Sequence, residues 1–497
     1  MKSHFYIACG KSIPTHTPHA VSVSLPTIAD VLAYKENKNG WSNSIFSGYP
    51  RFYTHPYEQM ASAFIRKVLT IGGDQNILLM PSRRCAEHVV HFAKEDHPIR
   101  YFDGLTFITI PYNHPNLVSI LSFIRRTGCK AYSRQIEDFL IRQKLLEQQF
   151  HEDIVETNPD GSIKTTLSRL YNIDQDQIFL YSSGMNALYS TFTAFKTQGD
   201  QTQRQLFIQF GQIYFGTAEI LKEYSKEYLC IESVYDLNTL ERILNEKGSK
   251  VAAIFTEVPT NPFLEICDLP QLKKIASRYN IPLVVDVSLG PHINLNVLPF
   301  CDVAVESLTK FASGSGEVMG GAAILSQSSI FYNNLSALLP QWGEPFYLRD
   351  AQRLAYTIKG YLLRVSWARE SVRELVAFFS NHPNVKKVRW SHSIENIDNY
   401  RKIECSDGCY SPIVSVEFEF PLEKVYDKLL LPKGPSMGTD FTLVMPYFYI
   451  ANYKLMRSEE GKQALYSKGI NPEMLRISIG CEPTQQIIGI FANALNV

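Results

Sequence analysis

Between about residues 175 and 330, six short apolar runs alternate with stretches of helical pattern: QIFLY, QLFIQF, VAAIFTEV, PLVVDV, DVAVES and GAAILS. Runs this short, apolar at consecutive rather than alternate positions, suit strands buried on both faces, and such a sheet needs helices on each side. The pattern predicts an α/β core on a largely parallel sheet. Ligands of such sheets collect at the carboxyl ends of the strands, where the loops open into a crevice. The residues that directly follow these runs are therefore the ones to read for chemistry.

The flanks read differently. Residues 1–130 open on SIPTHTPHAVSVSLPTIADV and continue with mixed helix and strand signals such as NILLMPSRRCAEHVVHFAK. Their periodicity assigns no chemistry, so they are set apart as an N-terminal extension of unknown role. The run RQIEDFLIRQKLLEQQF, Arg134 to Phe150, has the amphipathic pattern of a helix, with Leu140, Leu145, Leu146 and Phe150 as its packed stripe. The α/β domain is assigned to 131–332. Beyond Tyr332 the pattern becomes long-helical, then strand-like in IVSVEFEF, with a final helix from Thr484. That combination predicts a smaller C-terminal α+β domain over 333–497.

Composition narrows the partners. Lys plus Arg balance Asp plus Glu at 49 each, which leaves no net field to hold nucleic acid or an anionic membrane. Small molecules or further copies of the chain are the expected partners. The nine cysteines never form Cys-x-x-Cys, and several lie in apolar runs, which points to a reducing compartment and to no metal site. The start, MKSHFYIACG, lacks the apolar core of about 7–15 residues that a signal peptide needs, and no run reaches the roughly 18 apolar residues that span a bilayer. A soluble, cytoplasmic protein is expected.

Six strand-end segments carry candidate chemistry. In VAVESLTKFASGSGEVMGG an apolar strand runs into Ser307, Thr309 and Lys310 and then a glycine-dense turn. A lysine next to two hydroxyls at a strand end suits a phosphate-bearing aldehyde, Lys310 forming the imine and the hydroxyls binding phosphate, although S-x-T-K alone also fits a solvated strand-end charge. In IFLYSSGMNALY a strand meets a helix at Gly184 and Met185, either an anion site at the positive helix end or a plain Ser-capped turn. PLVVDV ends in Asp286, with Ser288 two residues on. A carboxylate there suits a pyridinium N–H, a helix cap or a salt bridge. In FTEVPTNP, Asn261 is a donor to a ring hydroxyl or a turn residue. Tyr214 in GQIYFGTAEIL is a ring-face partner or core filler. Finally, MLRISIG buries Arg476 in a strand, a placement suited to bidentate capture of a carboxylate.

Taken in chain order, SSGM, Y-x-G-T, E-x-P-T-N-P, V-V-D, S-L-T-K, G-x-x-x-V-M-G-G and L-R-I-S-I-G resemble the Cys/Met-metabolism family of pyridoxal-phosphate enzymes. The opening PTHTPHAVSVSLPT, GYPRF and GPSMGTDFTLVMPY look like its fungal-type cystathionine γ-synthase branch. The resemblance implies an aspartate-aminotransferase-like fold, called fold type I, and pyridoxal 5'-phosphate as cofactor. It implies Lys310 as the Schiff-base lysine, Asp286 on the pyridine nitrogen, Tyr214 on the ring, and Gly184, Met185, Ser307 and Thr309 on the phosphate, with Asn261 and Ser288 among the cofactor contacts. Arg476 would hold the substrate α-carboxylate. The family's Y-x-R motif, which reaches the phosphate from a neighbouring subunit, is matched by Tyr132 and Arg134, with Tyr49 and Arg51 as the second candidate. A homodimer or homotetramer with shared active sites follows.

The chain departs from the family at three places. Asp-Asn-Thr becomes Asp286, Val287 and Ser288; Gly-His-Ser-Asp becomes Gly314, Ser315, Gly316 and Glu317; and Glu-Ser-Leu becomes Phe441, Thr442 and Leu443, which makes Thr442 the candidate substrate contact. The resemblance implies catalysis by Lys310, Tyr214 and Asp286. The expected reaction is γ-replacement, joining L-cysteine to an O-acyl-L-homoserine to give cystathionine in methionine biosynthesis. A γ- or β-lyase acting on cystathionine or methionine is the second possibility. A catalytically altered regulatory homologue is the third.

Overall fold

The computed structural model describes residues 6–37 and 53–496. Near the start, Ser12–Ile13 pairs antiparallel with Ser22–Val23. Helix α1 (Ile28–Glu36) begins at a capping box, in which Thr27 Oγ1 accepts from the Asp30 N–H and the Asp30 carboxylate accepts from the Thr27 N–H. Val23, Leu25, Ile28, Val31 and Tyr34 join the apolar core of the C-terminal region. The apolar residues of SVSLPTIADV thus find their partners some 400 positions away along the chain.

A small antiparallel sheet follows. Strands β1 (Gln75–Met80), β2 (Arg100–Phe102) and β3 (Leu105–Pro111) lie in the order β1-β3-β2, with helix α2 (Arg83–Ala93) between β1 and β2. Met80, Ile108 and Ile110 face one cluster with Cys85 and Val89, while Leu79, Leu105 and Phe107 face another with Ile65 and Phe139.

Helix α3 (Ser133–Arg142) stops eight residues short of the expected end at Phe150. The chain turns at Lys144 (φ 58°) and folds back. There the Phe150 N–H donates to Glu137, and the Gln149 amide donates to Asp138 at 2.6 Å. Buried charges on α3 gain more from these tertiary partners than the run gains from continuing its helix, and Leu145 is left exposed.

All six apolar runs are strands of one seven-stranded sheet: β4 (Ile178–Tyr181), β5 (Leu206–Phe210), β7 (Val251–Glu257), β8 (Leu283–Asp286), β9 (Val303–Glu306) and β10 (Gly321–Leu325), joined by β6 (Glu227–Ile231). The order is β4-β10-β9-β8-β7-β5-β6, and the pairs are parallel except that β10 runs antiparallel to both neighbours. Successive side chains alternate between two cores: Leu283 and Val285 face one, Val284 the other, and both are fully packed. Helices α4 (Gly184–Thr202) and α5 (Phe215–Tyr224) follow β4 and β5.

After α6 (Leu348–Thr357) and α7 (Tyr361–Ser380), strands β11 (Val385–Arg389), β12 (Ile413–Phe418), β13 (Leu443–Pro446) and β14 (Met474–Ser478) form an antiparallel sheet in the order β11-β12-β14-β13, and α8 (Thr484–Leu495) ends the described chain. Among the described residues, no helix is long and apolar enough to cross a membrane.

Candidate active site

The carboxyl ends of β7, β8 and β9 and the strand β14 meet around one cavity of about 430 Å³. Strand β9 ends at Glu306, and the turn that follows carries Ser307 and Lys310 to the cavity wall. Lys310 Nζ donates to Ser436 Oγ at 2.8 Å. The loop bearing Ser436 can lie this close because of Gly438 (φ +73°), where a Cβ would stand 2.6 Å from the Phe311 nitrogen and 2.8 Å from the Lys310 carbonyl carbon.

Helix α4 starts beside this turn. Its N-cap Ser183 accepts from the Asn186 N–H at 3.1 Å, and Gly184 and Met185 line the cavity at the positive end of a 19-residue helix. A Cβ on Gly184 would sit 2.7 Å from Ser307 Cβ, so glycine is what lets the helix end approach Ser307. The Ser307 N–H in turn donates to Ser288 Oγ at 2.9 Å, which locks the two strand-end turns together.

Two carboxylates stand side by side, because Asp286 and Glu257 are register partners at the ends of β8 and β7. Asp286 Oδ1 accepts from the Ser288 N–H at 2.9 Å, and among the described residues no cation is within ion-pair distance of it. Burial pushes the Asp286 carboxyl up, and the Ser288 hydrogen bonds oppose that rise. Glu257 is held well above the usual carboxylate range, first by burial and then by the charge of Asp286. Its Oε2 accepts from the Tyr214 N–H at 2.5 Å, while its Oε1 is buried without a hydrogen-bond partner among the described residues. Burial thus favours the neutral form of both carboxyls, more strongly at Glu257, where the neighbouring Asp286 adds to it.

Arg476 lies on β14, opposite Met445 and Ser415 in register. Its guanidinium donates to Asn261 Oδ1 at 3.1 Å and to the Ser436 carbonyl at 2.7 Å, and it sits 5.5 Å from the centre of the Tyr447 ring. Burial pushes its pKa down, and no carboxylate is within ion-pair distance among the described residues. A buried, planar cation held by neutral acceptors at a cavity wall is suited to receive a carboxylate.

The structure thus brings Gly184, Met185, Tyr214, Asn261, Asp286, Ser288, Ser307, Lys310 and Arg476 to one cavity, and four expected residues lie elsewhere. The Thr309 hydroxyl exchanges hydrogen bonds with the Gly320 backbone at 3.0 and 3.2 Å, off the cavity wall. Thr442 is fully buried behind the site, where its N–H and hydroxyl both donate to Glu482, so it is not placed as a substrate contact. Tyr132 donates to the Pro345 carbonyl. Arg134 is enclosed by its own chain, 2.7 Å from Glu152 and 2.8 Å from Asp350. The alternative pair, Tyr49 and Arg51, lies outside the described residues.

Sequence reasoning gave no role to Ser436, Glu257 or Tyr447, nor to Tyr34, Lys35, Tyr53 and Arg125, which also line the cavity. Glu257 could have been found as a second acid ending an apolar strand. Ser436 comes from a loop, Tyr447 from a five-residue helix and the rest from the first 130 residues, where no periodicity points at a site.

Residues 157–496 match the family described as Cys/Met metabolism PLP-dependent enzyme. The chain belongs to this family. It is a pyridoxal-phosphate-dependent enzyme, in keeping with a half-buried lysine, a buried aspartate without a cation partner among the described residues and a helix N-terminus converging on one cavity. Among full-length relatives, it is 32% identical over 483 residues to L-2-amino-4-chloropent-4-enoate dechlorinase/desaturase of Streptantibioticus cattleyicolor, with 96% of each chain covered. It is 26% identical to cystathionine gamma-synthase of Neurospora crassa, with 98% of each covered. Cystathionine gamma-lyase from Lactobacillus plantarum, solved with L-serine, has a like fold: TM-score 0.59 at 17% identity, covering 70% of this chain and 91% of that one.

Proposed function

We propose that this enzyme expels a leaving group from carbon 4 of an L-2-amino acid, and that its reaction is γ-replacement of an O-acyl-L-homoserine by L-cysteine to give cystathionine. The observation that carries the reading is the convergence of Lys310, Asp286 and Arg476 on one cavity. Bound pyridoxal phosphate supplies an electron sink for charge developing at the substrate Cα.

The chain's own residues do the rest. Lys310 would hold the cofactor's aldehyde carbon, Gly184, Met185 and Ser307 its phosphate, and Asp286 the proton on its ring nitrogen. Arg476 binds the substrate α-carboxylate and so fixes how Cα is presented to Lys310. Lys310 Nζ then takes the proton from Cα, and Lys310 with the Tyr214 hydroxyl moves protons at Cβ and at the departing γ-substituent. Ser436, in contact with both Lys310 and Arg476, keeps base and carboxylate anchor in fixed relation.

A second reading is elimination without a thiol acceptor. The relative that is 32% identical, named as a dechlorinase/desaturase of a substrate with chlorine on carbon 4, favours it. Mass-spectrometric product analysis with O-succinyl- and O-acetyl-homoserine, each with and without cysteine and beside a Lys310→Ala control, separates the two. Cystathionine formed only with cysteine supports replacement. 2-Oxobutyrate formed equally without cysteine moves the assignment to elimination, and no turnover of either ester sinks the reading.

A further inference from the structure

The small N-terminal sheet carries a cluster that the cofactor chemistry does not use. Glu95 and His97 lie in the loop that leaves α2, just past the turn at Lys94 (φ 56°), and His114 lies just past β3. His114 Nε2 is 2.7 Å from Glu95 Oε2, and His97 Nε2 is 3.8 Å from the same oxygen. One ligand atom from each of the three residues lies within 4.8 Å of the others. Both imidazoles are more than nine-tenths buried, whereas the Glu95 side chain is 46% exposed.

A Glu95–His114 hydrogen bond by itself accounts for two of these side chains. It leaves His97 unexplained, because His97 Nε2 is buried with no hydrogen-bond partner among the described residues and faces the shared carboxylate. Leaving such a nitrogen unsatisfied is costly. A cation bound by the lone pairs of both rings and by the carboxylate removes that cost.

We infer that Glu95, His97 and His114 bind a divalent first-row transition-metal ion, with zinc as the best fit. Two imidazole nitrogens and one carboxylate oxygen make a borderline-soft donor set suited to zinc, and exposed Glu95 leaves the fourth position to water. Zinc–ligand bonds of about 2.0–2.2 Å put tetrahedral ligand atoms about 3.3 Å apart. The distances of 2.7 and 3.8 Å fall on either side of that value, so small side-chain rotations complete the site. His114 Nδ1 accepts from the Asn116 N–H at 3.1 Å, so metal binding at Nε2 requires the other tautomer and turns that N–H to solvent, where exposed Asn116 already lies. None of the three residues lines the cofactor cavity. The ion ties the loop after α2 to the end of β3 and acts as a structural clamp.

The test is a zinc titration of the full-length, cofactor-loaded protein after chelator treatment and desalting, followed by calorimetry, with the visible spectrum of the cobalt(II) form as a second readout. One ion per chain is expected. His97→Ala and Glu95→Gln should each weaken binding by about tenfold or more while the cofactor absorbance is unchanged. Glu95→Gln, at an exposed position, keeps the test decisive where His97→Ala does not fold. Absence of stoichiometric binding overturns the inference. So does binding that both variants leave intact, which would assign the ion to the free cysteines.

Discussion

Ser436 joins Lys310 to Arg476: its hydroxyl accepts from Lys310 Nζ at 2.8 Å, and its carbonyl accepts from the Arg476 guanidinium at 2.7 Å. It does so from a left-handed backbone conformation, φ 94°, which a non-glycine residue adopts only when its surroundings compel it. Ser436→Ala keeps the carbonyl that meets Arg476 but removes the hydroxyl that accepts from Lys310. A hydrogen bond to a charged donor contributes about 1.5–3 kcal/mol, so kcat/KM should fall roughly 10- to 100-fold with cofactor content unchanged. Steady-state kinetics decide it, and an unchanged kcat/KM removes Ser436 from the positioning of Lys310.

Asp286 is a buried carboxylate whose hydrogen bonds come from Ser288 and which lacks a cation among the described residues. If its partner is the protonated ring nitrogen, Asp286→Asn keeps the shape and deletes the charge. Cofactor affinity and kcat/KM should then both drop, the latter by about 100-fold. The absorbance of bound cofactor and the initial rate measure the two effects separately. Full activity in the variant would mean that the ring nitrogen needs no counter-charge from this residue.

The sheet was legible because its strands are buried on both faces, so burial wrote itself as unbroken apolar runs ending at Glu257, Asp286 and Glu306. The cavity residues on those ends were legible for the same reason. The antiparallel run of β10 was not, because GAAILS has the same apolar signature in either direction. Helix α3 was overdrawn, since its pattern says nothing of Glu152 and Asp350, which hold Arg134 from positions remote in sequence. The surroundings of Thr442 were not legible, because a motif match fixes a position along the chain but not its direction: the N–H and hydroxyl of Thr442 both donate to Glu482. Tyr34 and Lys35 reach the cavity only through the packing of α1 on the C-terminal core.

Glu306, one residue before Ser307, is fully buried and accepts from the hydroxyls of Tyr171 and Tyr361. Burial pushes its carboxyl up from 4.5 to about 7, with the tyrosines opposing and Asp286 reinforcing the shift. The folded state therefore binds this proton more tightly than the unfolded chain does. The contribution to stability is full below about 4.5 and is lost as the pH rises through about 7, a change on the order of 3 kcal/mol. Glu306→Gln is neutral at every pH, so its Tm relative to the parent should rise between pH 5 and pH 8 by about 2 °C or more. A Tm difference that stays constant across that range would show that Glu306 does not titrate there.

Arg134 separates two accounts of the Y-x-R segment. Its guanidinium donates to both Glu152 oxygens at 2.7 Å, to Asp350 at 2.8 Å and to the Glu317 carbonyl at 3.1 Å, so it binds α3 to the start of α6 inside one chain. Arg134→Met should leave buried Asp350 without its ion-pair partner, while Glu152 keeps Arg349 and Arg353 at 3.6 and 3.7 Å, and should cost about 3 kcal/mol, seen as a lower Tm. The folded fraction should still bind pyridoxal phosphate with the parent's affinity, because Arg134 does not line the cavity. The opposite pattern, an unchanged Tm with weakened cofactor binding, would mean that the guanidinium leaves its own chain in the assembled enzyme and reaches a neighbour's phosphate. Measuring Tm and cofactor affinity on the same preparation distinguishes the two, since each account moves one readout and spares the other.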